Sequence, residues 1–127
     1  MITRVALVLW LFLWVRVGVP WRSFQWTPTL RRVELIPFSG GSLRSLVLNV
    51  LVFIPLGVIG IRLGWKPRTV VALGFAVSIL TEFLQLFSTR RYPSATDLIL
   101  NTTGTVIGVA LAVAILKPGL AWSRRQP

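Results

Sequence analysis

The chain has 127 residues, 54% of them hydrophobic before its ten glycines are added, and it carries 14 Lys and Arg against 3 acidic residues, a formal charge of +11. Soluble domains run at about 45–50% apolar with glycine included, so a water-soluble monomer is not expected. With a mean hydropathy of +0.76, the charge reads as cationic punctuation of apolar runs whose loops meet phospholipid headgroups, and not as a nucleic-acid signal.

The sequence contains no His and no Cys, which excludes Cys or His zinc sites, thiol nucleophiles, disulfides and His-dependent triads. Glu34, Glu82 and Asp97 are the three carboxylates, too few for a convincing metal centre. No metal and no cofactor is expected.

Four apolar stretches approach the roughly 20 residues a helix needs to cross the hydrocarbon layer. They predict an all-α, polytopic membrane protein, a single membrane domain over 1–127 with spans near 2–19, 46–63, 69–87 and 98–116. The first is bounded by Arg4 and Arg16, which can snorkel to opposite interfaces. It resembles a signal peptide, but Gly18-Val19-Pro20-Trp21-Arg22 offers no small-x-small cleavage site, so an uncleaved signal anchor is expected.

Residues 20–45 form the one substantial loop, with Pro20, Pro28, Pro37, Gly40-Gly41 and four arginines, Arg22, Arg31, Arg32 and Arg44. It is long enough for a short interfacial helix or a re-entrant segment. In the second span Pro55, which has no N–H to donate, is expected with Gly57 and Gly60 to kink the helix. Arg62-Leu63-Gly64-Trp65-Lys66-Pro67-Arg68 reads as a tight turn at headgroup level, and the Trp residues read as interface anchors. Ser94-x-x-Asp97, just after Pro93, fits a capping box opening the fourth helix.

Polar residues inside the spans carry the functional signal, because each is costly in hydrocarbon unless paired or facing a cavity. Gly74, Ser78, Glu82 and Gln85 recur at i, i+4, i+8 and i+11 on the third helix; Asp97, Asn101, Gly104 and Gly108 recur at i, i+4, i+7 and i+11 on the fourth. Each set forms one stripe. The stripes predict a tight antiparallel hairpin of helices three and four, with the Gly104-x-x-x-Gly108 pair at their contact and with Glu82 and Asn101 at similar depth. Asn49, Glu82, Gln85, Arg90, Arg91, Asp97 and Asn101 then gather at one membrane face with the long loop. The positive-inside rule leaves the orientation tied. With the N-terminus inside, seven cations (Arg4, Arg62, Lys66, Arg68, Lys117, Arg124, Arg125) face seven (Arg16, Arg22, Arg31, Arg32, Arg44, Arg90, Arg91) across the membrane. The dense basic turn and tail favour both termini in the cytoplasm.

The blocks Glu34-Leu35-Ile36-Pro37-Phe38, Asn49-Val50-Leu51-Val52-Phe53-Ile54-Pro55-Leu56-Gly57, Glu82-x-x-Gln85 and Arg91-Tyr92-Pro93-Ser94-Ala95-Thr96-Asp97-Leu98-Ile99-Leu100-Asn101-Thr102-Thr103-Gly104 together resemble the VanZ-like family over residues 33–112. These are small bacterial membrane proteins named after an accessory determinant of teicoplanin resistance. Members often have Asn where Glu34 stands and Asp where Ser94 stands; the first departure lessens a role for Glu34, and the second reduces local negative charge. The resemblance implies a multi-pass protein of the cell envelope that contributes to glycopeptide resistance.

Two function classes follow. In one, Asn49, Gln85, Arg90, Arg91 and Asn101 bind a lipid-linked cell-wall precursor, an anionic lipid or a glycopeptide, arginine suiting diphosphate recognition. In the other, the chain is an intramembrane enzyme acting on a lipid-linked phosphate or peptide substrate, with Glu82 as acid or base, Asp97 as orienter or metal ligand and Arg91 as oxyanion clamp. Glu82 also has a structural reading, an ion pair with Arg91 that holds loop to helix. The expected partners are the phospholipid bilayer and one of these ligands, with no nucleic acid. A proton-coupled transporter with Glu82 as relay would need an oligomer, since four short helices enclose little pathway.

Overall fold

A computed structural model describes residues 1–18, 21–28, 33–38, 42–90 and 92–123. The chain runs through α1 (Ile2–Gly18), a 3-10 turn at Trp21–Ser23, α2 (Leu43–Arg62), α3 (Pro67–Gln85) and α4 (Ala95–Ser123). Four segments, of which the last covers Ala95–Leu116, are long and apolar enough to cross a membrane. Among the described residues the only β pairing is two isolated bridges.

Local chemistry sets the helix ends. Ser42 caps α2, its side chain accepting from the Ser45 N–H at 3.3 Å, as N-cap serines do. The turn to α3 is a Schellman closure: Gly64 N–H donates to the Ile61 carbonyl at 3.0 Å and Trp65 N–H to the Gly60 carbonyl at 3.1 Å. Gly64 holds φ at 85°, a left-handed conformation that glycine enters without steric cost. Pro67 then opens α3, where its missing N–H leaves no bond unmade. The α2 helix runs continuously through Pro55.

The third and fourth helices form the expected antiparallel hairpin. Gly74 lies against the Thr105 side chain, and the Asn101 amide donates to Ser78 Oγ at 3.0 Å. The Gly104-x-x-x-Gly108 pair belongs elsewhere, however. A Cβ on Gly104 would strike the Val50 carbonyl oxygen, and one on Gly108 the Ile54 carbonyl oxygen, so the pair faces α2 and not α3. On α2, Gly57 completes this seam, with Gly108 and Thr105 backbone atoms directly above it. The reason is angular. At about 100° per residue, Gly104 and Gly108 line one edge of the stripe, while Asn101 and Thr105 turn to the other. The fourth helix is thereby wedged between α2 and α3.

Two tryptophans depart from the expected interfacial role. Trp10 and Trp14 are 4% and 9% exposed, and their rings stack at 6.4 Å. Trp10 meets Phe53 edge-on at 6.1 Å. Burial costs an indole N–H its water partner, and both find replacements: Trp10 Nε1 donates to the Val52 carbonyl at 2.6 Å and Trp14 Nε1 to Thr81 Oγ1 at 2.9 Å. This is how buried Trp is tolerated, and it fastens α1 to α2 and α3. Trp21, Trp26 and Trp65 are exposed, as anchors should be.

Candidate functional site

The polar site is built where the first loop meets the connection between α3 and α4. Phe24 pairs with Ser88 and Glu34 with Ser94 in the two isolated bridges. Gln25 N–H donates to the Phe87 carbonyl at 2.7 Å, Glu34 N–H to Pro93 at 2.9 Å, and Ala95 N–H to Glu34 at 2.9 Å. Phe38 N–H donates to Thr96 Oγ1 at 2.6 Å. These bonds pair loop backbone that hydrocarbon could not satisfy. They also bring Glu34 beside the start of α4.

The two carboxylates take different places at the start of α4. Ser94 Oγ accepts from the Thr96 N–H at 3.2 Å, which is half of the expected cap. In a capping box the acid three residues on, here Asp97, bonds the Ser94 N–H. That donor instead goes to Glu82 Oε2, reaching across from α3 at 2.7 Å. Asp97 lines a pocket at the same level. Thus Glu82, expected as acid or base or as a structural partner of Arg91, helps hold the start of a neighbouring helix, and Asp97, expected both as cap and as orienter, lines the pocket.

That pocket encloses about 310 Å³. Glu34 and Asp97 supply its carboxylates and Arg90 its cation; Ser42, Ser45, Ser94, Thr96 and Tyr92 bring hydroxyl-bearing side chains, and Gln85 an amide. Leu46 closes one side, and beyond it an apolar groove of about 300 Å³ runs along Val47, Val50, Leu51 and Leu100, between α2 and α4. Leu46 lines both. A polar recess with hydroxyl, amide and mixed charge therefore adjoins a strip of hydrocarbon.

A second, smaller cavity of about 10 Å³ lies among Asn49, Thr81, Gln85 and Asn101, walled by Trp14, Val17, Val52 and Phe53. Gln85 belongs to both chambers. Asn101 packs level with Ser78, one turn deeper on α3 than Glu82, so the expected equal depth of Glu82 and Asn101 is corrected. Gln85 still reaches the Asn101 cavity because helical side chains lean toward the N-terminus.

The seven anticipated residues thus fall into distinct places. Gln85, Arg90 and Asp97 reach the pocket; Asn49, Gln85 and Asn101 reach the small cavity; Glu82 stands at the start of α4. Arg91, and with it the expected clamp and ion pair, lies outside the described residues, as do Arg31 and Arg32 of the long loop. Glu34, Ser42, Ser45, Tyr92, Ser94 and Thr96 join the pocket without having been singled out for binding. The signal for Glu34 was its place in the first motif block; no spacing argument links it to residues 60 positions away.

A helical bundle with four membrane-crossing segments and a polar recess at one end defines a multi-pass membrane protein. The chain belongs to the VanZ family: the family model described as VanZ/LLP1 matches residues 2–117. The match takes in the first helix together with the motif blocks. No curated protein and no solved structure matches the chain.

Proposed function

We propose that this chain is a bacterial cell-envelope protein that holds the saccharide or peptide part of a lipid-linked cell-wall precursor in its polar pocket, and so contributes to resistance against glycopeptides of the teicoplanin type. The observation that carries this reading is the junction at Leu46, where the polar pocket adjoins the apolar groove. An amphiphile has that shape: a head rich in hydroxyls and amides on a hydrocarbon chain. With both termini cytoplasmic, the starts of α2 and α4 and the end of α3 lie at the outer leaflet, where such a precursor is displayed.

The alternative, an intramembrane enzyme with Glu82 as acid or base, finds less support. Glu82 is absent from the pocket lining, and its Oε2 already accepts from the Ser94 N–H.

Mass spectrometry of lipids retained by the protein, purified in mild detergent from bacterial membranes, tests the proposal. A polyprenyl-linked saccharide-peptide should co-purify, and Val50→Trp, which fills the groove, should lower its retention several-fold. Recovery of bulk phospholipid alone would overturn it. Direct binding of teicoplanin to protein free of precursor would move the occupant from precursor to drug. Loss of protection in Glu82→Gln at unchanged stability would restore the enzyme.

A further inference from the structure

Three amide atoms at the heart of the bundle have no hydrogen-bond partner among the described residues: Asn49 Nδ2 on α2, Gln85 Oε1 on α3 and Asn101 Oδ1 on α4. Gln85 and Asn101 are 3% and 2% exposed. Leaving such groups unpaired in an apolar interior carries their full desolvation cost, and native proteins avoid it. All three residues line the same small cavity. The remaining polar side chain there, Thr81, is already engaged, accepting from Trp14 Nε1 and donating to the Val77 carbonyl.

We infer that this cavity is a binding site for one internal water molecule that ties α2, α3 and α4 together beneath the pocket. The cavity's volume of about 10 Å³ matches the room a single water needs, about one probe sphere. Donor and acceptor counts also match. Water donates one O–H to Gln85 Oε1 and one to Asn101 Oδ1, and accepts from Asn49 Nδ2; three bonds are the usual complement of a buried water. A cation suits the site less well, since an amide N–H₂ does not ligate metal and no carboxylate lines the cavity. Nor is there space for a lipid headgroup or a sugar. Because Gln85 also lines the pocket, the water fixes the position of one pocket wall. This assignment stands whether or not the pocket takes a cell-wall precursor.

A double-mutant cycle tests it, since no direct bond links Asn49 to Gln85. Asn49→Leu and Gln85→Met keep approximate shape while each removes one partner of the water. Each should lower the melting temperature of the full chain in detergent by several degrees, and the pair together barely more than either alone, because the bridge is already broken. Fully additive losses would mean that the two amides act independently, and would overturn the proposal. A second measurement needs no variant: melting of the unaltered protein in sodium, potassium or choline chloride at equal ionic strength. Equal values are expected, and a rise confined to sodium would replace the water by a cation.

Discussion

The seam between α2 and α4 and the polar end of the bundle hold the same helix in opposite ways. At the seam side chains are missing: Gly57, Gly104 and Gly108 let one backbone rest on another, with no room for a Cβ. At the polar end side chains bridge gaps: Glu82 bonds Ser94, Asn101 bonds Ser78, and Thr96 holds Phe38. Membrane helices gain little from hydrophobic burial against one another, so close packing and hydrogen bonds between helices take over that role. The contrast teaches where each region is vulnerable. The seam tolerates no added volume whatever its chemistry, whereas the polar end tolerates changes of shape that preserve an acceptor or donor.

The seam should give the largest effect. Gly108→Val drives a branched side chain into the Ile54 carbonyl, beyond ordinary overpacking costs of about 1–3 kcal/mol; the expected outcome is loss of monodisperse, helical protein in detergent. Next comes Glu82→Leu, which strips the buried Ser94 N–H of its acceptor and should cost about 2 kcal/mol, within the penalty for leaving a buried donor unpaired. Glu82→Gln keeps an amide oxygen in place and should recover most of that loss in the same melting assay. Equal destabilisation by Leu and Gln would show that charge, and not the acceptor, matters there. The smallest effect belongs to the turn: Gly64→Ala at φ 85° should cost about 1 kcal/mol of conformational strain, measured as a modest fall in melting temperature with ligand retention unchanged.

The helices were legible because their signal is local. Runs of apolar residues, Pro67 at a helix start and Gly64 after a helix end each act within a few residues of themselves. Gly74, Ser78 and Gln85 were legible as an inward stripe for the same reason, and all three are buried. The site was legible only as a neighbourhood. Which carboxylate caps α4 depends on reach across two helices, and neither spacing nor composition contains that distance. Glu34 stayed hidden because its role at the pocket follows from backbone pairing with Ser94, a contact between segments far apart in the chain.

The amino-acid sequence by itself determined a helical, multi-pass membrane protein with its internal polar groups gathered toward one end, since hydropathy and helical periodicity act along the chain. Tertiary structure alone decided which helix the Gly104-Gly108 face meets, that Trp10 and Trp14 are core residues, and that Glu82 serves the start of α4 while Asp97 faces the pocket. A side chain's partner is set by its angle and depth among three packed helices, and those are fixed only when all three are in place.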